Sequence, residues 1–407
     1  VVLVRGIFHK ERLMDIFRYF TVYGADSDGE SAKYTKMVAQ YHQYYGVNKA
    51  VEATRRAVKP KGDGKIGVFW HTQGSGKSLS MVFYVNKTKV LQELKSPTFV
   101  FLTALNDLDG QLHKTFARTG YPSAWQAPSV PALRERLKTP SGVVFTTIQK
   151  FADEEDELAG GLSRAENVIV IADEAHRSQY ATFAGNVREA LPNASFMGIT
   201  GTPISTESRD TELVFGKYIS TYKITQAAKD GATVLIFYEG RLVLLHLTNN
   251  FIDEEFETIA DEYALPESEV LKRKFAKLAE LVGTPERVKQ VAADIVSHFN
   301  SRGLEGKAMI VTMTRKIATD MYQAIRTIPG APEVAVVISK PEDFEGAIQP
   351  EPDAKQLERR FKNINDPLKL VIVCDMWLTG FDVPHLHTIY MDKPLKNHTL
   401  MQAIARV

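Results

Sequence analysis

Five consecutive residues, Gly74-Ser75-Gly76-Lys77-Ser78, have the types and spacing to wrap a phosphate. Small side chains let successive backbone N–H groups close on phosphate oxygens, and a helix beginning near Leu79 adds the positive end of its dipole. In that arrangement Lys77 reaches the β and γ phosphates of a nucleotide, and Ser78 Oγ ligates Mg2+. The pattern G-x-x-x-x-G-K-S is met only in its second half, because its first glycine falls at His71. A Gly/Ser turn leading into a helix is the plainer reading of the same residues. A second group, Asp173-Glu174-Ala175-His176, puts adjacent carboxylates at the end of the apolar run Val168–Ala172. Asp173 would hold the metal, directly or through water, and Glu174 would orient and deprotonate the attacking water. Alone, an Asp-Glu pair could equally open a helix. Downstream of a phosphate loop, the pair completes the groups needed to hydrolyse ATP.

Such groups need strands that end along one edge. Short apolar runs recur between polar, helix-like stretches at Ile66–Trp70, Thr98–Leu102, Val143–Thr146, Val168–Ala172 and Phe196–Ile199. A second series follows at Ala308–Met313, Val334–Ile338, Leu370–Cys374 and Thr388–Met391. Continuous rather than alternating apolar runs suit strands buried on both faces of a parallel sheet. Their alternation with helices implies right-handed βαβ crossovers. The expectation is therefore an α/β chain with parallel sheets flanked by helices. A helical and connecting segment occupies 1–60, one α/β domain 61–225, and a second 226–407. The second is interrupted at about 239–305, where Pro266–Phe299 has the composition of inserted or bracing helices, and Pro341–Asp353 reads as a loop.

The chain has 407 residues, enough for two or three domains at roughly 150 residues each. Fifty Lys plus Arg against 49 Asp plus Glu leave a net charge of +1, which excludes a histone-like basic coat and an acidic disordered segment. Local basic stretches remain, at Arg55, Arg56, Lys59, Lys61 and Lys65 and at Lys272-Arg273-Lys274; each could also be an ordinary solvated face. Hydrophobic residues make up 44%, enough for sizeable cores. Cys374 is the lone cysteine, so no intrachain disulfide forms, and a reducing, cytoplasmic setting is the simplest expectation. No apolar run approaches the ~18 residues of a membrane span, and Val-Val-Leu-Val-Arg lacks the pattern of a signal peptide. Both ends read as cuts, the first within a domain and the last within a helix.

Asp173-Glu174-Ala175-His176, together with Gly198-Ile199-Thr200-Gly201-Thr202-Pro203, resembles motifs II and III of superfamily 2 helicases and translocases. Three stretches resemble more specifically the motor (R, or HsdR) subunit of type I restriction enzymes. They are Asp173–Gln179, Leu378-Thr379-Gly380-Phe381-Asp382-Val383-Pro384, and Leu400–Val407. The resemblance runs along the whole chain in order and is weakest over 240–305. It implies two RecA-like domains with an ATP cleft between them. By the same resemblance Gln43 reads the adenine edge, while Gly380, Asp382 and Gln402 join the nucleotide site. Arg406 is then the finger that stabilises charge on the transferring phosphoryl group; a second family arginine would fall beyond the last residue. His176, Thr200 and Thr202 correspond to residues that couple nucleotide to DNA. Thr103, Thr146, Thr147, Gln149, Thr314 and Arg315 correspond to residues that face DNA. Relatives often have Asp-Arg where this chain has Ala104-Leu105, which weakens that part of the match.

The resemblance further implies an ATP-dependent double-stranded DNA translocase. Its cofactors are ATP and Mg2+, and its partners are duplex DNA and the methyltransferase and specificity subunits. S-adenosylmethionine acts only through those subunits, and no membrane is involved. Relatives carry a DNA-cleaving domain ahead of the motor, expected here before Val1. The one Glu-x-Lys considered for it, Glu93-Leu94-Lys95, reads as a solvated helix end. Other readings of the same motifs are another superfamily 2 helicase or remodelling ATPase, an ATP-gated DNA-binding scaffold without turnover, and a P-loop enzyme unrelated to nucleic acid.

Overall fold

The computed structural model describes residues 6–25, 34–103, 106–139, 141–151, 162–173, 179–201, 211–241, 278–280, 282–339, 354–378, 381, 383, 385–395, 400 and 403–404. The chain divides into two compact units, Val1–Leu235 and Ile236–Val407. The boundary falls after Leu235 rather than near 225.

In the first unit the order is α1 (Lys10–Tyr19), β1 (Thr21–Ala25), β2 (Tyr34–Val38), α2 (Tyr41–Ala57), β3 (Lys65–His71), α3 (Lys77–Thr88), β4 (Thr98–Thr103), α4 (Asn106–Arg118) and β5 (Trp125–Gln126). There follow α5 (Val130–Lys138), β6 (Gly142–Thr147), β7 (Val168–Ala172), α6 (Gln179–Ala190), β8 (Ser195–Thr200), α7 (Thr211–Phe215), β9 (Tyr218–Tyr222) and α8 (Ile224–Lys229). Seven strands form one parallel sheet in the order β5-β6-β4-β7-β8-β3-β9. All five apolar runs of the first series are strands of it. Every residue of β4, β7 and β8 is buried, as expected for strands covered on both faces. Alternate residues separate into two cores: Phe99, Phe101, Phe145, Ile169 and Ile171 on one face, and Val100, Leu102, Val144, Val168 and Val170 on the other.

Residues 1–60, expected to be helical and connecting, also contain the antiparallel β1–β2 hairpin. Helix α2 belongs to the body of the unit. Its Val47, Ala50, Val51 and Ala57 enter the first core, and buried Thr54 Oγ1 lies 2.6 Å from the buried Tyr84 hydroxyl of α3. Glu93 and Lys95 follow α3 in a short 3-10 turn, and Glu93 pairs with Arg55 at 2.8 Å, a surface contact rather than a metal-binding one.

The second unit contains α9 (Pro285–Ser301), β10 (Lys307–Thr312), α10 (Arg315–Arg326), β11 (Glu333–Val337), α11 (Ala354–Lys362), β12 (Leu368–Val373) and β13 (Leu386–Asp392). Four parallel strands are ordered β11-β12-β10-β13, and they are the four runs of the second series. Val288, Val291, Ala292, Ile295 and Val296 form the buried stripe of α9, so part of Pro266–Phe299 is indeed helical. Pro341–Asp353 and 242–277 lie outside the described residues. Lys307 is fully buried, and its ammonium donates to the carbonyls of Arg360 and Leu368, each at 2.8 Å. No helix among the described residues is long and apolar enough to cross a membrane.

Candidate nucleotide site

Strand β3 carries the chain to His71 at the carboxyl edge of the first sheet, and the loop Thr72–Gly76 turns it into α3 at Lys77. Gly74 and Gly76 take φ of +76° and +77°, a conformation that L side chains rarely adopt. A methyl group on Gly76 would also lie 2.6 Å from Gln43 Nε2. Ser75 Oγ donates to Thr72 O at 2.6 Å and tightens the turn. Lys77 Nζ lies 3.4 Å from Thr72 O, and a methyl group on Gly201 would stand 3.2 Å from it. Ser78 sits one residue into the helix. His71, where the phosphate-loop pattern has its first glycine, is fully buried with Nε2 2.9 Å from Ser220 Oγ. Burial, helped by the neighbouring His42 and Lys77, pushes its imidazole down to about 3, so it is neutral near pH 7.

The first turn of α2 grips this loop from outside. Gln40 and Gln43 make a capping box, Gln43 Oε1 accepting from Gln40 N–H at 2.9 Å. Gln43 Nε2 donates to Gly76 O at 3.0 Å, and the residue is 4% exposed. The glutamine expected to read adenine is thus placed as a brace against the phosphate loop, both ends of its amide engaged. Beside it, His42 Nε2 lies 2.9 Å from Ser75 O. The His42 ring stacks on Tyr222 with centroids 3.9 Å apart and planes 5° from parallel. Asp230 collects the outer groups: Tyr222 OH and Gln226 Nε2 each donate to it at 2.8 Å, and the Tyr41 hydroxyl donates as well. The hydrogen bond from Tyr41 leads the effects that hold the Asp230 carboxyl below its ordinary range.

Asp173 follows β7 directly, its N–H donated to Leu102 O at 2.9 Å. Thr200 ends β8 and is fully buried. Strand β8 lies between β7 and β3, so at the usual strand spacing the ends carrying Asp173 and the phosphate loop are about 10 Å apart. That span suits a polyphosphate with a metal ion beside it. Glu174, His176 and Thr202 lie outside the described residues.

The residues expected to face DNA divide. Thr103, Thr146 and Thr147 end β4 and β6 on the same edge but are buried, and the Thr103 and Thr146 hydroxyls have no partner among the described residues. Strand pleating turns those side chains into the layers beneath, while Gln149, in the next turn, is exposed. In the second unit Thr314 caps α10, its hydroxyl accepting from Ile317 N–H at 3.2 Å, and Arg315 Nη1 donates to Ser339 O at 3.0 Å. Both line a cavity of about 290 Å³ with Cys374 and Asp375 at the carboxyl edge of that sheet. Gly380, Asp382, Gln402 and Arg406 lie outside the described residues.

Sequence reasoning missed His42, Tyr222 and Asp230. His42 adjoins Gln43, yet nothing local distinguishes it from a helix-face histidine. Tyr222 and Asp230 reach it only through the fold.

The family described as SWI2/SNF2 ATPase matches residues 42–269, more than half of the chain, and the type I restriction enzyme subunit R domain 3 matches 348–407. Two curated relatives match along 100% of the chain: the MjaIXP endonuclease subunit described for a type I restriction enzyme of Methanocaldococcus jannaschii, at 46% identity, and the HindI endonuclease subunit of Haemophilus influenzae, at 44%. The chain spans 39% and 41% of their lengths. Among solved structures, a fragment described as an HsdR subunit from Vibrio vulnificus superposes with a TM-score of 0.59 at 17% identity, over 90% of this chain and 60% of that one. The Pyrococcus furiosus Hef helicase domain gives 0.53 at 13%, over 88% and 91%. At these identities the two structures speak for the fold, the helicase-type α/β arrangement. The chain belongs to the SWI2/SNF2 ATPase family. Within it, the sequence follows the R subunits of type I restriction enzymes from end to end, as the motif resemblance implied.

Proposed function

We propose that this chain is the ATP-driven double-stranded DNA translocase of a type I restriction endonuclease complex, moving DNA before cleavage. The observation that carries the reading is the phosphate loop, with Gly74 and Gly76 in the left-handed conformation, α2 gripping its outer side, and Asp173 two strands away on the same edge. Loop N–H groups and the α3 N-terminus take the phosphates, and Lys77 adds the positive charge that stabilises the transferring phosphoryl group. Ser78 Oγ and the Asp173 carboxylate are hard oxygen donors and would hold Mg2+. A metal ion held by them would supply positive charge beside the phosphates. Glu174 activates the attacking water, and Arg406 supplies the finger; Gly380, Asp382 and Gln402 serve the nucleotide. Those roles, and the coupling roles of His176, Thr200 and Thr202, rest on the motif resemblance.

Duplex DNA is held by its phosphate backbone, without sequence choice. Gln149 and Arg315 are the residues of the expected DNA set whose placement suits that contact. Recognition of a DNA site belongs to the methyltransferase and specificity subunits, with S-adenosylmethionine used there, in the cytoplasm. The test is displacement of a third strand from a triplex. ATP-dependent removal of that strand with the underlying duplex intact is expected. Separation of the duplex strands themselves would instead make this an unwinding helicase, and ATP binding without phosphate release would make it a scaffold.

A further inference from the structure

We propose that His42 is a positioning residue for nucleotide phosphates, acting through the Ser75 carbonyl. The inference rests on the assignment of Gly74–Ser78 as the phosphate-binding loop. In a trans peptide the carbonyl of one residue and the N–H of the next point in opposite directions. His42 Nε2 holds Ser75 O at 2.9 Å, and Gln43 Nε2 holds Gly76 O at 3.0 Å. The Ser75 carbonyl is therefore drawn toward α2, while the Gly76 carbonyl is shared between Gln43 and the Ser80 N–H of α3 at 3.0 Å, and the N–H groups of Gly76 and Lys77 are aimed the other way, where phosphate oxygens would accept. The direction matters because the left-handed glycines leave these peptide planes able to flip.

His42 is itself held in place. Its ring lies flat on Tyr222, whose hydroxyl is tied to Asp230, and the ring of His71 stands 5.5 Å from it. Only 5% of the residue is exposed, and burial is the leading effect lowering its affinity for a proton. A neutral ring serving Ser75 O must carry its hydrogen on Nε2. That leaves Nδ1 a bare acceptor, and Nδ1 is buried without a partner among the described residues. A core histidine kept only for packing gains nothing from that orphaned nitrogen; phenylalanine would fill the space and stack equally well. What the imidazole adds is the single N–H on the loop. The edge formed by β9 and α8 is thereby linked to the phosphate loop through one ring.

The test compares His42→Phe, which keeps the stack and loses the donor, with His42→Gln, which restores an N–H donor. Affinities are measured for ATP, for inorganic tripolyphosphate and for adenosine, alongside the thermal midpoint. Loss of one hydrogen bond to an ordered loop should weaken ATP and tripolyphosphate about five- to tenfold in His42→Phe. Adenosine affinity and the midpoint should stay near wild type, and His42→Gln should recover most of the loss. Wild-type tripolyphosphate affinity in His42→Phe, or equal loss of adenosine binding, overturns the proposal. Should His42→Phe fail to fold, Tyr222→Leu, which removes the platform under the ring, is expected to give the same phosphate-selective loss at smaller size; unchanged tripolyphosphate affinity there overturns it equally. Lys77→Ala separates the two levels of the argument. If it leaves ATP affinity untouched, the phosphate-loop assignment itself fails, whatever His42 does.

Discussion

At the carboxyl edge of the seven-stranded sheet, the Ser75 and Gly76 carbonyls of the phosphate loop accept from side chains of a helix outside it, His42 and Gln43 of α2. At the corresponding edge of the four-stranded sheet, the polar groups hold one another. Thr314 caps its own helix, Arg315 donates to Ser339 O, and Lys393 reaches Cys374 O at 3.2 Å and Asp375 at 2.5 Å. Both edges are built from parallel strands leading into helices. The first leaves His42 Nδ1, His71 Nδ1, Gln73 Oε1 and Thr233 Oγ1 buried without a hydrogen-bond partner among the described residues. The second borders a cavity of about 290 Å³ lined by both polar and apolar side chains. The two edges thus differ in how their backbone carbonyls are held, and the proposed anion site is the edge gripped from outside.

The sharpest way to break this contrast is Lys77→Ala. Removing the charge aimed at the phosphates should lower ATP turnover by about 10²–10³, whereas Arg315→Ala in the second unit should leave basal turnover within a few-fold. Equal losses in the two variants would erase the distinction.

Acid comes next in size. His71 is held at about 3 and His42 is lowered as well, while unfolded histidine titrates near 6.5. Between these values the unfolded chain binds more protons than the folded one, so stability is full above about pH 6.5 and falls as pH drops toward 3. The slope for one such histidine is about 1.4 kcal/mol per pH unit. Hydrogen exchange of the first unit across this range should show that slope in wild type and a shallower one in His71→Phe. An unchanged slope would deny the buried imidazole its part.

Gly76→Ala should cost about 1–3 kcal/mol, through its positive φ and the contact with Gln43, read as loss of exchange protection in the first unit alone. Thr314→Ala should cost about 1 kcal/mol through loss of the α10 cap, confined to the second unit. Swapped locations of these two losses would contradict the division of the chain after Leu235.

Nine apolar runs in the sequence are nine strands of the structure; in most of them burial on both faces leaves a continuous signal, while the edge strand β13 keeps an apolar run although it is mostly part-exposed. The elements that escaped lack it. Strand β9, Tyr-Ile-Ser-Thr-Tyr, lies at a sheet edge with most residues partly exposed, and β5 is two residues long. Strand β2 is almost wholly exposed and lies in the segment expected to be helical and connecting. Within the site, Gly74–Ser78 and Asp173 were legible because their chemistry is contiguous. The cluster around His42 was not, since Tyr41 and Asp230 meet across 189 positions of sequence. The buried threonines Thr103 and Thr146 show the converse: the motif located them at the right strand ends but carried no information on which way the pleat turns them.

Phosphate release from ATP by this chain, followed with no DNA, with single-stranded DNA and with duplex DNA, tests the central claim most directly. Steady release stimulated by duplex DNA, and abolished by Lys77→Ala, is the predicted result. A rate indifferent to duplex DNA, or one that survives Lys77→Ala, would contradict the account.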